Sequence, residues 1–279
     1  KLYTRNNING VPVDDDIGYT ILNLLVLEKY GKNFTTENIA NIWNNYLPFA
    51  HSAEKIALEN IRKGIPIEKV GETNNPFIEW IGGYIRSDAW GWACAGDPNR
   101  AAELAWRDAF LTHRNNGIYA AMFFAAVESA AFCVDTVEEA ILVGLEKIPQ
   151  QCCLSEDIQW ALMRGKNIRN WKDAVIAVNN RFKGMSRVNA NNNACLVVLG
   201  LLMGKKDFSN TIGNIVAMGY DNDCNAATAG SILGAIIGKK NIPEHWYRPF
   251  NNTINSYIIG EEKIELDNFI SRVICQVDK

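Results

Sequence analysis

No run of lysine and arginine in this 279-residue chain exceeds two residues, and the net charge is −3 with a sequence pI near 5.7. That balance argues against a surface built to neutralise phosphates, so nucleic acid is not the expected partner. Proline (8) and glycine (21) are too scarce for a collagen-like or low-complexity chain. Cys224–Gly238 carries no charge, but fifteen mostly small residues are too short to span a bilayer. There is no Cys-x-x-Cys spacing among the seven cysteines, and Cys152 adjoins Cys153. This reads as reduced thiols in a cytoplasmic protein without a zinc site. No signal peptide is visible; the chain opens on Lys1 rather than Met, so residues upstream are expected to be missing. The G-x-S-x-G, P-loop and His-Glu-x-x-His motifs are absent, and with only His51, His113 and His245 a Ser-His-Asp triad has little support.

What is present is a core. Hydrophobic residues make up 48% and charged residues 21%, enough to fold as one large domain, expected over 1–279. Asparagine is abundant (32), which reads as base composition rather than chemistry. Helical periodicity dominates: Ile17, Ile21, Leu24 and Leu25 fall on one face of a first helix, and Thr35/Thr36 cap a second that Pro48 stops. Further helices are expected at 52–63, 99–113, 117–132, 136–147, 155–164, 171–183, 191–203, 207–218, 224–238 and 265–276. Alternating strands bounded by Asn-Gly or Asp-Gly turns are missing. The expected class is all-α, a compact bundle of many short helices. The Gly-, Asn- and Trp-rich segment 64–98 reads as a long loop that serves a site.

Asp14-Asp15-Asp16 directly precedes the first helix. One Asp, or two, would suffice to cap it. Three adjacent carboxylates at about 5 Å repel by about 3 kcal/mol per pair at an effective dielectric of about 20, and a hard cation would relieve that. Asp221 and Asp223 also stand just ahead of a helix, in Gly219-Tyr-Asp-Asn-Asp-Cys-Asn225. An EF-hand loop would start this way, but it needs Gly where Ala226 stands and Glu where Ile232 stands. An isoprenoid synthase would need Asp-Asp-x-x-Asp, and Gly18 and Tyr19 occupy the third acidic position in the two possible registers. The helix after Asp223 is small-sided (Ala226, Ala227, Ala229, Gly230, Gly234, Ala235), which predicts a close helix crossing and a deeply buried Asp pair. His113, in Leu-Thr-His-Arg-Asn115-Asn-Gly117, falls at a helix junction that suits either a packed histidine or a ligand loop.

The run Gly219-Tyr-Asp221-Asn-Asp223-Cys-Asn-Ala-Ala-Thr-Ala-Gly230-Ser-Ile-Leu-Gly234-Ala235, followed by Ile242-Pro243 and Trp246, resembles the carboxy-terminal signature of the ADP-ribosylglycohydrolase family. Asp14-Asp15-Asp16 is similar to that family's Thr-Asp-Asp motif, Gly82-Gly83-Tyr-Ile-Arg86 to its diphosphate loop, and Leu111-Thr-His113 to its Leu-Thr-His junction. The resemblance implies an orthogonal all-α bundle that holds two divalent cations, Mg2+ or Mn2+, and hydrolyses the glycosidic bond between ADP-ribose and an acceptor. It implies Asp14, Asp15, Asp16, Asp221 and Asp223 as metal ligands. It further implies Gly82, Gly83 and Arg86 as the diphosphate cradle, with His113, Asn115 and Gly117 beside the substrate. The chain departs from the family pattern at Asp14 (usually Thr), Ile81 (usually Asn) and Cys224 (usually a hydroxyl), and the family's opening helix is absent or shortened in the 13 residues before Asp14.

The expectation is therefore a metal-dependent ADP-ribosyl hydrolase with Asp15 or Asp16 orienting the attacking water. Its partner would be an ADP-ribosylated protein or an ADP-ribose-containing small molecule. The alternative is an ADP-ribose-binding module without turnover.

Overall fold

The computed structural model describes residues 7–277. Helix α1 (Asp15–Tyr30) starts where Asp14 accepts a 2.9 Å hydrogen bond from the Asp16 N–H. It is not the one-faced helix its periodicity suggests: every residue from Gly18 to Leu24 is buried, because α1 is surrounded rather than laid on a surface. Helix α2 (Thr36–Tyr46) opens with a reciprocal capping box between Thr35 and Asn38 and ends before Pro48, which disfavours helical backbone at Leu47. Then come α3 (Ser52–Arg62), α4 (Ile67–Val70), α5 (Asp88–Ala93) and α6 (Pro98–Ala109), the last capped by Asp97 with proline in its first turn.

Helix α7 (Asn116–Ala130) is the second central rod, with Phe123, Phe124, Ala125, Ala126 and Val127 at 1% exposure or less. Around it follow α8 (Val137–Leu145), α9 (Cys153–Gly165) and α10 (Trp171–Arg181). Helix α11 (Ala190–Gly204) is the third rod, buried from Ala190 to Leu201. It packs against α9, α12 (Phe208–Met218) and α13 (Asn222–Ile237). An antiparallel pair, β1 (Thr253–Asn255) and β2 (Lys263–Glu265), precedes the amphipathic α14 (Leu266–Val277). Three-residue strands are too short for alternation to register in a sequence, which is why none was expected.

Two expectations change. Segment 64–98 is not one open loop: it contains α4, α5 and a helical turn at Ile81–Gly83, and Trp80 pairs with Asn189 in a bridge. Helix α13 is crossed as expected, by α11 and α12, but the crossing does not need its glycines. A side-chain carbon built at Gly230 would meet Ile212 at 3.6 Å, and one at Gly234 would meet Ile242 at 3.6 Å, both ordinary contact distances. The carboxylates at its start are nonetheless shallow, which corrects the expected deep burial of the pair: Asp221 is half-buried and Asp223 exposed. Among the described residues no helix is long and apolar enough to cross a membrane.

Candidate active site

The amino termini of α1 and α13 open onto one cleft of about 230 Å3, lined among others by Asp15, Tyr19, Asp221, Asp223 and Cys224. One ligand atom from each of Asp14, Asp15 and Asp16 lies within 4.8 Å of the others, and the same holds for Asp221, Asp223 and Cys224. The backbone builds the second cluster. Gly219 (φ 72) and Tyr220 (φ 64) are both left-handed, turning the chain from α12 into α13. The Asp221 N–H donates to Asn193 Oδ1 at 3.2 Å. That oxygen also accepts from Asn225 Nδ2 at 2.8 Å, and Asn225 Oδ1 accepts from the Tyr84 hydroxyl at 2.8 Å. Several of the asparagines attributed to base composition thus have structural work: Asn193 and Asn225 are completely buried.

Electrostatically the cleft is overloaded with acid. Burial, then the Asp14 charge, raises the Asp15 carboxyl above its ordinary range, with Asp223 contributing from across the cleft. Burial, then Asp14 and Asp15, raises Asp16 much further, and its Oδ1 is buried without a hydrogen-bond partner. Burial pushes Asp221 up to about 6, with Asp223 adding to it. An orphaned carboxylate oxygen among mutually repelling carboxylates fits a hard divalent cation, whose charge would reverse each of these shifts. Cys224 fits less well: burial and the surrounding carboxylates drive its thiol far up, so it stays neutral.

The cleft floor holds a residue that sequence reasoning missed. Glu54, on α3, is 4% exposed, and burial pushes its carboxyl up to about 7 against the lowering pull of Arg86. It lies against Gly82, where any Cβ would collide with the carboxyl group. On the walls, Trp80 comes from segment 64–98, which was expected to serve a site, whereas His51, Ser52 and Val188 were also missed. No motif marks them; only the residue spacing at the start of α3 hinted at a helix there.

The remaining expected site residues separate. Gly82 lines the cleft. Gly83 lies behind it, where a Cβ would stand 2.7 Å from the Gly117 carbonyl and 3.3 Å from the His113 ring. His113 is completely buried, shares a 2.6 Å hydrogen bond with the Thr112 hydroxyl and is kept neutral by burial, with Arg86 and Arg114 adding to the effect. Asn115 is exposed with φ 48 and does not line the cleft. Arg86 is the correction: its guanidinium is 0% exposed and committed to Asp108 at 3.2 Å and Glu54 at 3.4 Å, so no face of it is presented to a diphosphate.

The model of the ADP-ribosylglycohydrolase family matches residues 6–273. The chain belongs to that family. A solved structure described as an ADP-ribosylglycohydrolase-related protein complex is similar at 18% identity with a TM-score of 0.62, over 95% of this chain and 81% of that one. At that identity the likeness shows the ADP-ribosylglycohydrolase fold. A comparison with curated proteins finds no match. ADP-ribosylglycohydrolases are hydrolases of ADP-ribose linkages and are generally metal-dependent, and this member carries acidic clusters that could hold metal.

Proposed function

We propose that this protein is a metal-dependent, cytoplasmic hydrolase of the glycosidic bond between ADP-ribose and an acceptor on a modified protein or small molecule. We take the whole chain to act as a single domain. The reading is carried by one observation: Asp15 from the 14–16 carboxylate cluster and Asp221 and Asp223 from the second cluster line the same cleft as a buried glutamate. Asp14, Asp15, Asp16, Asp221 and Asp223 would hold two divalent cations, Mg2+ or Mn2+, which supply Lewis acidity towards ribose hydroxyls and water.

The chain's own residues do the rest. Asp15, half-buried at the cleft wall, orients water from one side, and Asp16 buttresses the same turn from within the core. Glu54, protonated near neutral pH, holds a proton at the cleft floor that can pass to the departing acceptor. Trp80, Ile81 and Val188 form an apolar wall that excludes water, and the absent side chain at Gly82 leaves room for the Glu54 carboxyl group itself at the cleft floor.

The test is release of ADP-ribose from a modified protein as divalent metal is titrated. Asp221→Asn and Asp223→Asn should each remove calorimetric metal binding while helix content is kept. Neutral Cys224, in place of a hydroxyl, favours the second reading, a binding module. Binding of ADP-ribose without any release, at saturating metal, would establish that reading instead.

A further inference from the structure

Arg86 stands between two carboxylates and serves them unequally. Its Nε donates to Asp108 Oδ2 at 3.2 Å and one terminal nitrogen to the Asp108 carbonyl at 3.4 Å, whereas Glu54 Oε1 receives a single contact at 3.4 Å. The Thr112 hydroxyl takes a further bond at 2.9 Å, and the guanidinium lies 4.9 Å from the Trp43 ring centroid. One buried positive charge therefore faces two buried acids. If both were ionised, a net negative charge would remain away from water, which costs more than keeping one acid neutral.

Partners decide which acid keeps its proton. Asp108 Oδ2 accepts from Trp90 Nε1 at 3.1 Å in addition to Arg86, both bonds falling on this one oxygen while Oδ1 is buried without a partner. Both bonds favour the Asp108 anion against the burial that raises it. The other titratable groups acting on Glu54 or close to it are Asp15 and Tyr19 on α1, His113 at 3.8 Å and Tyr257 after β1, while His51 at the start of α3 acts on Asp15. Asp15 adds negative charge; Tyr19 and Tyr257 are kept neutral chiefly by burial, and so is His113. Arg86 supplies the positive charge, and Asp108 has the better hold on it.

We propose that Asp108, which does not line the cleft, is a positioning residue that monopolises Arg86 and thereby leaves Glu54 holding a proton at the cleft floor. This rests on the reading of Glu54 as the group that transfers a proton in the proposed hydrolysis.

The test is a titration of the whole protein, metal-free, with isotope-labelled carboxyl carbons followed by NMR. Glu54→Gln and Asp108→Asn assign the two signals. In the wild type, Asp108 should ionise at lower pH than Glu54. Asp108→Asn keeps an oxygen for Trp90 but no charge, so the Glu54 midpoint should fall by about one pH unit or more. The pH limb of ADP-ribose release governed by Glu54 should fall with it. A residue that only packs would lower the melting temperature and leave the midpoint in place. An unmoved or raised midpoint in the folded variant overturns the proposal. If Asp108→Asn does not fold, the wild-type Glu54 signal, assigned by Glu54→Gln, decides, and a midpoint at or below the ordinary glutamate range overturns it. The titration uses no substrate. Failure of the functional reading would show separately, as Glu54→Gln releasing ADP-ribose at the wild-type rate.

Discussion

The Asp221 main-chain N–H donates to the side-chain oxygen of Asn193 at 3.2 Å, so the turn that carries the second carboxylate cluster is pegged to the first turn of the buried helix α11. Asn193 in turn donates to the carbonyls of Arg187 and Asn189, each at 2.8 Å. Asn193→Ala should cost about 1–3 kcal/mol of stability through unsatisfied buried groups. Divalent-metal affinity, measured by calorimetry on the folded variant, should fall as well. Unchanged affinity would mean the turn keeps its shape without the peg.

Cys224 sits beside Asp221 and Asp223 as a buried, neutral thiol. Cys224→Ser replaces sulfur with an oxygen of similar reach, which suits a hard ion better. Magnesium affinity should rise in the variant, and the wild type should respond better to manganese than to magnesium. Identical metal profiles in both proteins would place the thiol outside the coordination shell.

Glu54 carries a stability signature as well as a chemical one. Its folded-state carboxyl is raised from 4.5 to about 7, so folding binds a proton there that the unfolded chain releases. That contribution is fully present below the unfolded value and is lost as pH rises through the folded one, an amount of roughly 3 kcal/mol. Melting temperatures of the wild type and Glu54→Gln should therefore change, relative to each other, between about pH 4.5 and pH 7. The variant gains on the wild type as pH rises. Parallel curves across that window would show that Glu54 is not raised.

Arg86→Ala should act on folding rather than on ligand choice. It leaves Asp108 and Glu54 buried without a cation, a loss of about 3–5 kcal/mol. Thermal denaturation should show it, with no selective weakening of ADP-ribose over plain ribose. A stable variant that has lost only diphosphate recognition would return Arg86 to the cleft.

The all-α class was legible because most of the helices announce themselves by apolar spacing and by caps such as Asp14, Thr35 and Asp97. The carboxylate clusters were legible too, since three adjacent acids exceed what capping a helix needs. Glu54 was not, because a glutamate in Ser52-Ala-Glu54-Lys looks like any solvent-facing helix residue; its burial comes from Gly82, twenty-eight positions away. Arg86 misled for the complementary reason. A motif reports that an arginine follows two glycines but not which carboxylates two other helices, α3 and α6, bring to it. The burial of α1 on all sides was likewise invisible to periodicity, because Asn23 and Thr20 on its polar face bond to the Arg86 and Asp16 carbonyls inside the protein.

The two walls of the cleft differ in how they are held. Helix α1 is enclosed from Gly18 to Leu24, whereas α13 keeps Gly230 and Gly234 half-buried at ordinary contact distances from their neighbours. Amide protons of α1 should therefore exchange only when the whole molecule opens, and those near Gly230 through smaller, more frequent openings. The cleft works as a vice with one fixed jaw and one that yields. Anything bound between residues 14–16 and 221–223 tightens the yielding jaw, so occupancy would be readable as slowed exchange along α13 while α1 stays as it was.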